Sequence, residues 1–248
     1  MTARDVAAGP PAAAPAGREL LLIDVWADVI CPFCLLGDEQ LRRAIEAEGL
    51  DDRVEVRIRR HSFELDPHAP TEARSSLDYL AAKMGTDRDT VAQREEKVRS
   101  AAQELGLGFT LDRPVANTLP VHRAVQHASR EGRDHELFRA VQRAYFAGDL
   151  DPFDEDALVE LASGLGLEER ALRAALADPV SEQAVRTDED AARQLGVNAV
   201  PFTVIAGRLG VPGAVGVDAF REALREGVAL QEADGGVDPE APDAESDS

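Results

Sequence analysis

Both cysteines of the chain fall within four residues, Cys31-Pro32-Phe33-Cys34, at the seam between an apolar run and a helical run. Leu20-Leu21-Leu22-Ile23-Asp24-Val25-Trp26 reads as a short buried strand, and Leu35 to Glu48 reads as a helix. The turn between them must hold two thiols one helical turn apart at a helix entrance. Unpaired N–H groups and the positive end of the helix dipole favour a thiolate there. Strand, cysteine pair and helix in that order make reversible dithiol chemistry the first reading.

Two other readings fit a cysteine pair. Half of a zinc site needs two more ligands, and the best candidates, His122 and His127, lie almost ninety residues away. Five apart on a predicted helix, they point to different faces, and a structural zinc usually takes four close ligands, so no metal is expected. A structural disulfide is disfavoured because so small a loop restricts the unfolded chain little.

With 248 residues and 44% hydrophobic content, the chain can bury a full core without disulfides. Its 47 acidic residues against 27 basic ones give a net charge of -20, which excludes nucleic acid and anionic membrane surfaces as partners. Residues 231–248 hold seven carboxylates and no Lys or Arg, and read as a solvated acidic disordered tail. Residues 1–17, rich in Ala and Pro, match neither a secretory signal nor a membrane span and read as a disordered leader. The expected compartment is the cytoplasm, where a lone cysteine pair is more often catalytic or redox-sensing than structural.

Arg53-Val54-Glu55-Val56-Arg57-Ile58-Arg59 alternates apolar and charged residues, as a half-buried strand at a sheet edge does. With the first strand and helix it forms a unit that implies parallel pairing. From Glu72 to Ala177 the periodicity is helical, with no convincing strand. Val91, Val98 and Leu105 recur every seven residues and Leu137, Val141 and Tyr145 every four, while glycine-rich breaks divide the stretch into four to six segments. Asp154 or Asp151 is suited to cap the segment holding Leu158 and Leu161. A helix from Ser181 to Leu195 leads to a strand at Phe202-Thr203-Val204-Ile205. Ala206-Gly207 then turns the chain into a return strand at Leu209 to Val211, and a helix from Asp218 to Glu226 closes it.

Gly196-Val197-Asn198-Ala199-Val200-Pro201-Phe202 puts a proline at the start of an apolar strand, a first position or edge where no ladder N–H is needed. Together, several co-linear motifs carry a more specific signal. They are Asp24-Val25-Trp26-x-Asp28-Val29-x-Cys31-Pro32-x-Cys34, Phe63-Glu64-Leu65-x-Pro67, Asn117-Thr118 with His122-Arg123, Ala144-Tyr145-Phe146, and Gly196-Val197-x-x-Val200-Pro201-Phe202. Over residues 20–226 the chain resembles the thioredoxin-fold DsbA family, and within it the FrnE-type branch of cytoplasmic dithiol oxidoreductases. Two departures stand out. Gly210-Val211-Pro212-Gly213-Ala214 replaces an aliphatic strand ending in Ser-Gly-Ala, and Phe33 replaces the His found at that position in the periplasmic enzymes.

The resemblance implies an α/β thioredoxin-like fold from residues 18–68 and 179–230, split by a large all-helical insertion domain over 69–178. It implies a cis Val200-Pro201 bond, with Pro201 against the cysteines and the Val200 backbone available to an extended substrate. Cys31 is assigned as the exposed reacting sulfur and Cys34 as the covered resolving one, supported by Pro32 and Phe33. Asp24 and Asp28 share a face of the first strand. One of them could take the proton of Cys34; a solvated strand-end charge is the reading for Asp28, and Asp24 stays open between the two.

Trp26, Phe63 and Phe202, with Phe33, are candidates for an apolar substrate rim, core packing being the alternative and the favoured one for Trp26. His122 is a further candidate substrate contact, with Arg123, although a satisfied surface pair is preferred. The implied activity is that of a thiol:disulfide oxidoreductase or disulfide isomerase. Its partners would be protein or small-molecule thiols and disulfides and an external redox partner; no cofactor is expected beyond glutathione as a possible co-substrate. Two alternatives remain. One is a glutathione-dependent isomerase or transferase resembling the kappa-class and hydroxychromene carboxylate isomerase branch, which typically keeps one nucleophilic position; the other is a non-catalytic redox-sensing module.

Overall fold

The computed structural model describes residues 19–233; the leader over 1–17 and all but the first three residues of the tail lie outside them. The chain begins with strand β1, Leu20–Ala27, and passes through the cysteine turn into helix α1, Pro32–Ala47. A short helix α2, Leu50–Arg53, leads into β2, Glu55–Ser62. β1 and β2 pair in parallel from Leu20 opposite Glu55 to Ala27 opposite Ser62. The side chains of β1 are nearly all covered, whereas β2 is mostly half-buried, which reproduces the buried and edge characters of the two apolar patterns.

Two two-residue strands follow, β3 at Arg74–Ser75 and, after helices α3 (Ser76–Met84) and α4 (Arg88–Glu104), β4 at Pro114–Val115. They pair antiparallel in a small sheet of their own. The expectation of a purely helical stretch missed this ladder, because two residues per strand leave no alternation to detect. Helices α5 (Leu119–Ser129), α6 (Asp134–Ala147), α7 (Glu155–Gly164) and α8 (Glu169–Ala177) complete the stretch, and α9 (Pro179–Gln194) leads back to the sheet. Their starts are chemically marked. Ser75, Asp87 and Asp154 accept backbone N–H groups at the starts of α3, α4 and α7, and Asp178 does so for α9 ahead of Pro179.

β5, Phe202–Ile205, runs antiparallel to β1, and β6, Leu209–Pro212, antiparallel to β5, so the main sheet has the order β2-β1-β5-β6. Ala206 and Gly207 turn this hairpin, both with positive φ. The return strand reaches Pro212, one residue beyond expectation. The last helix, α10, Val217–Ala233, is longer than the predicted 218–226. It lies so close to the sheet that a Cβ on Gly227 would come within 2.4 Å of Ile205.

One continuous apolar core joins the sheet to the helical stretch. Leu21, Ile23 and Ile205 of the sheet belong to the same buried cluster as Val121 and Val125 of α5, Phe138 of α6, Leu158 of α7 and Leu172 of α8. Helices α5 to α8 therefore share their core with the strand that precedes the cysteines, while Leu77 and Ala81 of α3 pack with Val91 of α4 in a cluster of their own.

Candidate active site

Cys31 is the residue that caps α1. Its backbone is extended, Pro32 takes the first helical position, and the Cys34 N–H bonds back to the Cys31 carbonyl at 3.1 Å. Proline suits that position because it has no N–H to leave unpaired. Both thiols are free. Cys34 is fully buried and Cys31 nearly so, at 3% exposure. Cys31 is thus less open than its place at the helix entrance implied, because the loop before β5 lies over it.

In that loop the Val200-Pro201 peptide bond is cis, as the resemblance implied. The Cys31 thiol points at the Val200 carbonyl oxygen, 3.6 Å away. The Pro201 carbonyl accepts the Gly213 N–H at 2.7 Å, and Gln40 of α1 accepts the Gly216 N–H at 2.9 Å, so the loop after β6 is tied to both sides of the site. Phe33, at 52% exposure, projects from the turn beside the thiols.

Burial pushes the Cys34 thiol well above the ordinary thiol range, and the neighbouring Cys31 sulfur pushes it further. The charge of Asp28 acts in the same direction, while the Asp28 backbone partly offsets it.

Asp28 itself corrects the expectation of a solvated strand-end charge: it has no exposed surface. Its Oδ2 accepts the Leu65 N–H at 2.8 Å, and its carbonyl accepts the Cys31 N–H at 3.1 Å and the Gln142 side-chain amide at 3.2 Å. Asp28 therefore organises the turn from below. Asp24, the other candidate, is engaged elsewhere: its Oδ1 takes hydrogen bonds from Arg59 at 2.7 Å and from His61 at 2.8 Å. Those bonds outweigh its burial and hold its carboxyl below the usual range.

The aromatic and histidine candidates separate in the same way. Trp26 is core; it stacks on His61 with ring centres 4.4 Å apart, and its indole N–H donates to the Asp188 carbonyl. Burial at 5% exposure removes it from the proposed substrate rim. Phe63 and Phe202 are half-buried against the main core. Of the four aromatic candidates, Phe33 presents the most surface to solvent. His122 is 1% exposed, which corrects both the surface reading and the direct substrate contact. Its Nε2 lies 3.4 Å from Asp28 Oδ1. Arg123 is bonded to the Leu176 carbonyl and to Glu182, away from the thiols. Among the described residues, no group of three or more His, Cys, Asp and Glu side chains gathers as metal ligands would.

Sequence reasoning missed Gln142 and the Leu65 N–H altogether. Both reach Asp28 through tertiary packing, and the only local hint was the burial implied by a strand running up to Asp28.

Comparisons with known proteins bear on the family and the fold. The sequence is 33% identical to a probable DsbA oxidoreductase from Streptomyces coelicolor, whose crystal structure superposes with a TM-score of 0.78 over 92% of this chain and 94% of that one. The cytosolic disulfide reductase DsbM from Pseudomonas aeruginosa shares the fold at 17% identity, with a TM-score of 0.57 over 84% of this chain and 99% of that one. An uncharacterized Bacillus subtilis protein, YwbO, is 27% identical over 210 residues, covering 82% of this chain and 96% of its own. The sequence profile of the DSBA-like thioredoxin domain matches residues 22–225, which takes in the sheet, the cysteine turn, the helical stretch and the proline loop. On that span, the chain belongs to the DsbA-like thioredoxin-domain family.

Proposed function

We propose that this protein is a thiol:disulfide oxidoreductase in which Cys31 exchanges with substrate and Cys34 resolves. The observation that carries the reading is the asymmetry of the pair. Cys31 caps α1 and faces the Val200-Pro201 loop, while Cys34 sits one turn deeper with no exposed surface. In the reducing direction the Cys31 thiolate attacks a substrate disulfide, forming a Cys31–substrate bond and releasing one substrate thiolate. Cys34, on losing its proton, attacks the Cys31 sulfur; the second substrate thiolate leaves and the Cys31–Cys34 disulfide remains. The Val200 backbone and Phe33 are the proposed contacts for the substrate chain.

Substrates are protein or small-molecule thiols and disulfides, with glutathione as a co-substrate, and an external thiol or disulfide partner restores the starting state. DsbM, which shares the fold, has been crystallised with glutathione. No helix among the described residues is long and apolar enough to cross a membrane. We place the reaction in the cytoplasm.

The test is insulin reduction and refolding of a scrambled disulfide protein by wild type, Cys31→Ser and Cys34→Ser. Activity that needs both thiols supports the reading. Glutathione-dependent isomerase activity that survives in Cys34→Ser would replace it with the single-nucleophile alternative. No exchange by wild type with any disulfide would leave the redox-sensing module.

A further inference from the structure

Helix α6, which belongs to the helical stretch, grips the backbone on both sides of the cysteines. Ahead of the pair, the Gln142 side-chain amide donates to the Asp28 carbonyl at 3.2 Å and to the Val29 carbonyl at 3.3 Å. Behind it, the Arg139 guanidinium lies 3.1 Å from both the Asp38 and the Glu39 carboxylates of α1, and Arg143 donates to Glu39. Residues 139, 142 and 143 stand three and four apart, so one face of α6 makes all of these contacts.

Gln142 is only 1% exposed, between Val141 and Tyr145, which are buried as well. Covering a long amide sacrifices its hydration and its rotamer freedom, so it is kept where its donors are used. They are used on the turn. The Asp28 carbonyl that takes the Gln142 amide also accepts the Cys31 N–H at 3.1 Å, so Gln142 fixes the oxygen around which the chain from Asp28 to Cys31 closes. The same turn aims the Cys31 thiol at the Val200 carbonyl. That bond needs the S–H, so the geometry Gln142 holds is the geometry of the dithiol. Closing the disulfide draws the Cys31 sulfur off Val200 toward Cys34 and pulls on the turn.

We propose that Gln142 is a positioning residue of the redox centre: by holding the Asp28 and Val29 carbonyls it favours the dithiol over the disulfide and makes the pair more oxidising. The inference rests on the dithiol reading above. Gln142 acts through the backbone ahead of Cys31. An interaction made more strongly in one of two forms moves the equilibrium toward that form by the difference between them. Arg139 and Arg143 keep α1 in place behind Cys34, so the turn cannot relieve the pull by shifting the helix.

The test is the equilibrium with glutathione at neutral pH, read by mass after an acid quench. The protein dithiol reduces glutathione disulfide: the Cys31–Cys34 bond forms, the glutathione S–S bond breaks, and the two glutathione thiols released take up the two protons the protein gives up. Gln142→Met keeps the length of the side chain and removes both donors. Its equilibrium constant for oxidation is expected to rise about fivefold, the worth of one net hydrogen bond. Val141→Ala is the control for loosening of α6, since Val141 faces the shared core and is fully buried. It should lower the urea midpoint and leave the constant as in wild type. An unchanged or lower constant in Gln142→Met overturns the proposal, and so does an equal rise in Val141→Ala.

Wild type supplies a second readout that needs no variant to fold: the side-chain 15N signals of Gln142, compared between the dithiol and disulfide forms. Slower amide exchange with solvent in the dithiol supports the proposal, and equal exchange in the two forms overturns it. Failure of wild type to equilibrate with glutathione at any ratio would instead count against the dithiol reading.

Discussion

Gly37 and Pro201 touch across the site: a Cβ placed on Gly37 would lie 3.0 Å from Pro201 Cγ. About one turn beyond the cysteines, α1 thus has a flat spot on which the proline loop rests.

Gly37→Ala should therefore act on the site through the loop. Overpacking a close contact costs about 1–3 kcal/mol, against a gain of about 0.5–1 kcal/mol for replacing a helical glycine by alanine. The expected outcome is a net loss of about 1 kcal/mol with a severalfold fall in exchange rate. Gly164→Ala, also helical but with no heavy atom within 4 Å of the new methyl, is the control and should be neutral or slightly stabilising. Urea midpoints and insulin-reduction rates measured side by side decide it; equal behaviour of the two variants would remove the packing argument.

Phe33 is the large apolar side chain at the turn that faces water, so substitution there should move chemistry and leave stability alone. Phe33→His adds a cation beside the reduced pair at acid pH. One exposed charge interaction is worth about 0.5–1 kcal/mol, or roughly 10–20 mV for a two-electron couple in which 30 mV is about 1.4 kcal/mol. Equilibration with glutathione at pH 6 should find the variant more oxidising by that amount, the difference shrinking at pH 8. A more reducing variant would contradict the argument.

Much of this arrangement was legible in the chain itself. The cysteine pair lies between a strand and a helix by local pattern alone. The alternation over 53–59 located the edge strand, and the motif around Pro201 located the loop that covers Cys31. The parts that escaped depend on residues far apart in sequence. Asp28 looked like a strand-end charge because its partners Leu65, His122 and Gln142 come from three separate segments. Asp24 stayed ambiguous because its fate is set by Arg59 and His61 on the neighbouring strand. Burial of a charged residue is a tertiary fact, and local pattern reports it only where the surrounding residues are also apolar.

Arg113 makes a second buried charge network, remote from the thiols. Its guanidinium stacks 4.5 Å from the Phe109 ring and 4.6 Å from that of Phe146, and donates to Glu95 at 2.7 Å. Both partners are almost fully covered. Removing one member of a buried pair typically costs about 3–5 kcal/mol, because the other charge is left unpaired, whereas replacing both by apolar groups costs far less. Arg113→Met should lower the urea midpoint strongly, and Arg113→Met with Glu95→Leu should recover much of the loss. A single variant within about 1 kcal/mol of wild type would show that Glu95 finds another partner.

His61 sets the response of stability to alkaline pH. Its Nδ1 lies 2.9 Å from Asp188 and its Nε2 2.8 Å from Asp24, so the imidazolium joins β1, β2 and α9. Burial opposes its charge, but the bonds to Asp188 and Asp24 prevail and raise its pKa to about 9 from an ordinary 6.5. A group whose pKa is higher in the folded state binds its proton more tightly there. Its contribution is complete below pH 6.5 and is lost as pH rises through about 9. At about 1.4 kcal/mol per unit, the loss is of the order of 3 kcal/mol at most. Asp24 behaves in the opposite sense: with its carboxyl held below the usual range, its contribution is present near neutrality and is lost in acid. In urea titrations, wild type should therefore exceed His61→Gln by more at pH 6 than at pH 9.5. Trp26, stacked on His61, offers a fluorescence signal from the same place in the fold. A constant gap between the two proteins from pH 6 to 9.5 would mean that His61 is neutral in the folded state and acts through packing alone.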